Sequence, residues 1–163
     1  MSLLGSSIIA VDSVKVQQMI NEIISSINGK IGIHCCANTD WSIILNTNVD
    51  IISFDAYEYA TNFLLYRKEL TNFLKQGGII AWGIIPTAPN QLAQETVETL
   101  GKKFENLIFQ LEQFSGLSRK KILSQSLITP ACGFGARDAK TTVDAFKLNK
   151  QVSTKIRDKY GFR

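Results

Sequence analysis

The chain alternates between short, nearly continuous apolar runs and longer stretches whose apolar positions recur every three or four residues. Four runs stand out: residues 31–36 (IGIHCC), 50–56 (DIISFDA), 78–86 (GIIAWGIIP) and 126–133 (SLITPACG). They lack the apolar–polar alternation of a sheet with one wet face. This pattern predicts strands of a parallel sheet, buried on both faces.

The intervening stretches carry helical spacing. Residues 13–27 place Val16, Ile20, Ile23, Ile24 and Ile27 on one side, with Asp12 or Ser13 as the N-cap. Residues 57–75 do the same with Phe63, Leu64, Leu70, Phe73 and Leu74, and Gly77-Gly78 supplies a stop. Residues 91–115 predict a longer helix that has room for a break. Residues 118–124 predict a short one capped by Ser118, and 138–147 and 150–159 predict closing helices. The first two runs are separated only by ANTDWSIILNTNV, enough for a helix of about two turns. The resulting order, α-β-α-β-α-β-α-β-α, predicts an α/β fold with right-handed crossovers. Such compact βα repeats suit a barrel at least as well as an open sheet.

Composition narrows the class. The 163 residues suit a single domain, 1–163, with a sizeable core. Hydrophobic residues make up 45% and charged residues 20%, an ordinary globular balance. No apolar run reaches the roughly 18 residues of a membrane span, and Met1–Ser7 lacks the basic segment of a signal peptide. The net charge of +4 is not gathered into a block, and Lys102-Lys103 and Lys120-Lys121 read as solvated helix faces. Nucleic-acid binding, which calls for a clustered basic stripe with aromatics, is not expected. Three cysteines without a secretion signal argue against a disulfide framework and for a reducing cytoplasm.

The single histidine and two of the three cysteines are consecutive, at 34–36. Residues two apart on a strand point the same way, so His34 and Cys36 share a face and Cys35 points to the other, as a small packed side chain. An imidazole and a thiol presented together at the C-terminal end of a strand suit zinc. Asp55 ends the second run, and aspartate is costly to bury unless it is paired or binds a metal. Cys132 follows the fourth run in TPACGFG, a turn marked by Pro130, Gly133 and Gly135. Taken singly, each of these four residues is more often a packed core residue than a ligand. Their common place at strand ends favours a shared metal site of His34, Cys36 and Cys132, with Asp55 as an optional fourth ligand. Trp41 is expected to cover this site or pack the short helix, and Trp82 to lie in the core. Glu95 and Glu98 read as exposed helix carboxylates. Gly133 and Gly135 read either as anion donors or as parts of a tight turn.

The segments IGIHCCANTDW, DIISFDAY, GGIIAWGIIPT and QSLITPACGFG, in that order, resemble the C-terminal catalytic domain of cobalamin-independent methionine synthase. They look closer still to its short core homologues in the uroporphyrinogen-decarboxylase-like barrel superfamily. The resemblance runs from about residue 30 to the C-terminus. It implies the C-terminal half, about four βα units, of a (β/α)8 TIM barrel. It also implies methyl transfer to a thiol such as homocysteine, with Zn2+ held by His34, Cys36 and Cys132. Asp55 stands where methionine synthases carry glutamate. WGIIPT lacks the histidine that the family places after this strand, so a corrinoid methyl donor is expected in place of a folate. With half the barrel supplied, the chain is expected to pair as a homodimer or with a complementary half-barrel chain, and to do little chemistry alone. The alternative expectation is a non-catalytic metal- or thiol-binding remnant or assembly subunit.

Overall fold

The computed structural model describes residues 12–162; the reading of Met1–Ser7 lies outside them. Strands β1 (Gly32–Cys35), β2 (Ile51–Phe54), β3 (Ile79–Ile85) and β4 (Ser126–Pro130) form one all-parallel sheet in the order β1-β2-β3-β4. Helix α1 (Ser13–Ser25) precedes β1, and α2 (Trp41–Leu45) links β1 to β2. Helices α3 (Ala56–Phe63) and α4 (Arg67–Lys75) link β2 to β3. Then α5 (Pro89–Leu92), α6 (Val97–Ser115) and α7 (Arg119–Ser124) lead to β4, and α8 (Ala139–Tyr160) closes the described chain. The expected α/β class and all four strands are present. Among the described residues, no helix is long and apolar enough to cross a membrane.

Local chemistry sets most helix starts. Asp12 caps α1 by accepting from Val14 and Lys15 amides, Ser118 caps α7, and Asp138 caps α8. Thr96 and Thr99 form a reciprocal capping box, which is the break foreseen within 91–115.

Two helix expectations need correction. Residues 57–75 do not form one helix: the chain leaves α3 at Leu64 and restarts α4 at Arg67. A continuous helix would put Arg67 one turn after Phe63, on the face that Phe63 buries. The break lets Phe63, Leu64, Leu70, Phe73 and Leu74 all reach the core while Arg67 and Lys68 stay exposed. Conversely, 138–147 and 150–159 are one helix of 22 residues, because no breaker stands between Lys147 and Lys150. It ends at Gly161, whose φ of 70° is the left-handed conformation that glycine adopts without a side-chain penalty.

The core lies between the sheet and the helices. Ile52, Phe54, Ile80 and Trp82 point toward the helices and are fully buried. Trp41, Phe54, Phe63, Trp82 and Phe104 form a contiguous aromatic cluster, with neighbouring ring centroids 4.2–6.4 Å apart. Burial of each such side chain contributes about 1.5–3 kcal/mol. Trp41 thus packs the short α2 into the core. The side-chain amide of buried Gln125 donates to the carbonyls of Leu74 (3.0 Å) and Gly78 (2.6 Å), and its backbone carbonyl accepts from Ile80 N (2.8 Å). It therefore ties the start of β4 to the α4–β3 turn.

The opposite face of the sheet is the one that matters for function. His34, Ser53, Ala81 and Leu127 are in register across all four strands, so they share that face. His34 is exposed, and Leu127 is 47% exposed.

Candidate metal centre

Strands β1 and β4 are the two edges of the sheet, three strand spacings apart. At about 4.8 Å per spacing, a flat sheet would hold them about 14 Å apart. Yet His34 and Cys36 from the first edge meet Cys132 from beyond the last, with one ligand atom from each within 4.8 Å of the others. The sheet and the turn after β4 therefore bend together across the C-terminal strand ends.

Two features of β3 and β4 allow this approach. The β3–β4 register shifts between Gly83 and Ile85, after which Ala131 N donates to the Ile85 carbonyl (2.9 Å). A side chain at Gly83 would collide with the Phe54 carbonyl oxygen and stand 2.8 Å from the Ala131 Cα. Glycine is thus required for the backbone that leads to Cys132 to pass so close.

His34 and Cys36 behave as the strand period requires: both are exposed, on the open side. Cys35 points away, packs against the core, and donates from Sγ to the Ala37 carbonyl (3.3 Å). His34 Nδ1 lies 2.9 Å from Ser53 Oγ, the residue in register with it on β2. The neighbouring Cys132 sulfur, by hydrogen bonding and then by charge, holds the Cys36 thiol above its ordinary pKa. Two thiolates side by side repel unless a cation stands between them.

Asp55 is not part of this cluster. Its Oδ1 caps the start of α3, accepting from Glu58 N at 3.0 Å. Burial pushes its carboxyl above the usual carboxylate range, against the pull of the Glu58 amide. The residue that ends β2 is thus also the residue that starts α3.

A pocket of about 420 Å³ opens beside the cluster, lined by His34, Ser53 and Cys132 and by Phe134 and Phe146. The two phenylalanine rings lie 5.4 Å apart, one from the turn after β4 and one from α8. A side chain at Gly133 or Gly135 would meet nothing within 4 Å, so this turn leaves open space at the mouth.

Sequence reading did not single out Ser53, Phe134 or Phe146. For Ser53 the signal was its parity in DIISFDA, two before Asp55; for the phenylalanines only the fold brings the two segments together. Glu95, expected as an exposed carboxylate, is half-buried. It accepts from Tyr57 Oη (2.8 Å) and Thr99 Oγ1 (2.5 Å) and pairs with Lys103 (3.7 Å). Glu98 is exposed as expected, paired with Lys155. No family model, no curated protein and no solved structure matches this chain.

Proposed function

We propose that His34, Cys36 and Cys132 hold one zinc ion, and that the chain is the zinc-bearing half of a methyltransferase that acts on a thiol such as homocysteine. The observation that carries this reading is the convergence of one imidazole and two thiols from opposite edges of the sheet to within 4.8 Å. The donor set fits the metal: soft thiolates with an imidazole select zinc over hard cations. Three protein ligands leave one position open, as in catalytic zinc sites and unlike closed structural ones. Bound zinc supplies a Lewis acid that ionises a coordinating thiol at neutral pH.

The chain's own residues supply the rest. Ser53 holds the His34 ring by one nitrogen, leaving the other for a metal. Phe134 and Phe146 give the pocket an apolar wall suited to the carbon skeleton of a thiol ligand and to shedding water around it. Asp55 anchors α3 rather than the metal.

The same reading makes the sheet half of a (β/α)8 barrel. Four parallel strands in sequential order, each followed by helix, present their site at the C-terminal ends, where barrel enzymes carry theirs. The segment after β3, Pro86-Thr87-Ala88, has no histidine to serve a folate donor, which favours a corrinoid. The chain's expected compartment is the cytoplasm, where these thiols stay reduced.

The test is zinc titration under reducing conditions, followed by methyl transfer from methylcobalamin to homocysteine. One zinc per chain, lost in Cys36→Ala and Cys132→Ala, is the expected result, with little turnover by the chain alone. Absence of stoichiometric zinc, or binding indifferent to both cysteines, would reject the site. Zinc binding with no methyl transfer even when the barrel is complete would leave a metal- or thiol-binding module.

A further inference from the structure

We propose that Cys36 and Cys132 form a reversible disulfide within the chain when the site is metal-free, so that peroxide and zinc compete for the same two sulfurs. The pairing of the cysteines rests on their geometry alone; the competition rests also on the zinc reading.

The two thiols are already neighbours. Cys36 directly follows β1 and Cys132 stands two residues beyond β4, yet their sulfur atoms lie within 4.8 Å of each other and the thiols are hydrogen-bonded. A disulfide needs a sulfur–sulfur distance of about 2.05 Å, so the two side chains must close the remaining gap. The turn that carries Cys132 has room to do so. Its backbone is anchored before Cys132 by Ala131 N on the Ile85 carbonyl (2.9 Å), and after it by Arg137 N on the Phe134 carbonyl (2.9 Å). Between these anchors lie Gly133 and Gly135, where a side chain would meet nothing within 4 Å.

An oxidant can reach this pair. Cys36 is exposed, and half-buried Cys132 lines the pocket of about 420 Å³ beside His34. Cys35 is the competing partner and is badly placed. It packs against the core and donates to the Ala37 carbonyl (3.3 Å). Adjacent residues on a strand aim their side chains apart, so a Cys35–Cys36 bond would require the end of β1 to unwind.

The oxidant is a peroxide, and the reaction balances in two steps. The Cys132 sulfur attacks one peroxide oxygen, the O–O bond breaks and water leaves, giving a sulfenic acid on Cys132. The Cys36 sulfur then attacks the Cys132 sulfur. The S–O bond breaks, a second water leaves with the Cys36 proton, and the S–S bond forms. Two thiols have lost two electrons and two protons, and one peroxide has become two waters. A dithiol reductant reverses the bond by exchange.

The bond would consume two of the three metal donors, because zinc takes thiolate sulfur. His34, held by Ser53, would remain as a lone donor. Bound zinc would in turn occupy both sulfurs and slow their oxidation. The disulfide would also clamp the C-terminal ends of the two outer strands, with β2 and β3 between them. A cross-link over so long a loop restrains the unfolded chain, so the oxidised metal-free protein should outlast the reduced metal-free protein in denaturant.

The experiment treats the reduced, metal-free chain with equimolar hydrogen peroxide, then counts free thiols and maps the linked peptides by mass spectrometry. The expected result is loss of two of the three free thiols and one peptide pair joining Cys36 to Cys132 within a monomer. The oxidised protein should take up no zinc until dithiothreitol is added, and zinc loaded beforehand should slow the loss of thiols. Cys35→Ala should keep the cross-link and the higher denaturation midpoint of the oxidised form. Cys36→Ser and Cys132→Ser should lose both, and circular dichroism checks that each variant folds. A Cys35–Cys36 link, a link between chains, or sulfinic acid with no link would overturn the proposal. Zinc uptake by the reduced protein with no cross-link on oxidation would overturn this proposal and leave the metal reading standing. A Cys36–Cys132 link in a chain whose reduced form takes up no zinc would overturn the metal reading, and the competition with it.

Discussion

His34 Nδ1 lies 2.9 Å from Ser53 Oγ, two residues in direct register on β1 and β2. The contact joins the proposed ligand to the neighbouring strand and restrains the plane of the imidazole. Partners of this kind are worth about 10- to 100-fold in metal affinity. Ser53→Ala should weaken zinc binding by about tenfold or more, without changing the stoichiometry. Competition against a chromophoric chelator measures this; unchanged affinity would show that the ring is held by packing alone.

The three cysteines should separate cleanly. Cys36 and Cys132 face each other on the open side, and Cys35 faces the core. Cys35→Ala should keep one zinc per chain and lose some packing, whereas Cys36→Ala and Cys132→Ala should lose most of the metal. Elemental analysis of the three purified variants decides it.

Asp55 is predicted to matter for stability and not for zinc. Its carboxylate accepts from Glu58 N at the start of α3. Removing an N-cap costs about 1 kcal/mol. Asp55→Ala should lower the denaturation midpoint by that amount while zinc stoichiometry stays at one. Loss of the metal with unchanged stability would return Asp55 to the ligand set.

Gly83 is the tightest backbone passage beside the site. A methyl group there would meet the Phe54 carbonyl oxygen, and would sit 3.0 Å from the Pro130 carbonyl oxygen. Overpacking of this kind costs about 1–3 kcal/mol. Gly83→Ala should destabilise the fold and also weaken zinc binding, since β4 must move and carries Cys132 with it. Denaturation and zinc titration of the same sample test both halves.

Tyr57 links α3 to the segment before α6. Burial, then its hydrogen bond to Glu95 and the nearby negative charge, pushes its phenol up to about 12. A raised value means the folded state holds the proton more tightly than the unfolded chain, whose phenol ionises near its ordinary value of about 10. The Tyr57 contribution is therefore fully present below about pH 10 and is lost as pH rises toward about 12. Tyr57→Phe should flatten that part of the stability–pH curve and remove the latest tyrosinate absorbance. An unchanged curve would mean the phenol is not coupled to folding.

The strands and the residues of the His34–Cys36–Cys132 group were legible because each rests on local chemistry. Continuous apolar runs with Gly and Pro at their ends leave few alternatives to buried parallel strands. His34 and Cys36 share a face by the strand period alone, and Cys132 is marked by its Pro–Cys–Gly turn. Asp12, Ser118 and Asp138 likewise announce helix starts through side chains that reach their own backbone.

What lies between distant segments was decided only by the tertiary structure. The sequence of 57–75 permits one helix; the need to bury Phe63 and Leu70 while exposing Arg67 divides it. No periodicity reveals that Ser53 faces His34 or that Phe134 meets Phe146, since those contacts depend on register and on how α8 crosses the sheet. The convergence of the two sheet edges to within 4.8 Å is the largest such decision. It comes from the curvature of the sheet and the closeness that Gly83 permits, and both are properties of packed backbone rather than of any one stretch of residues.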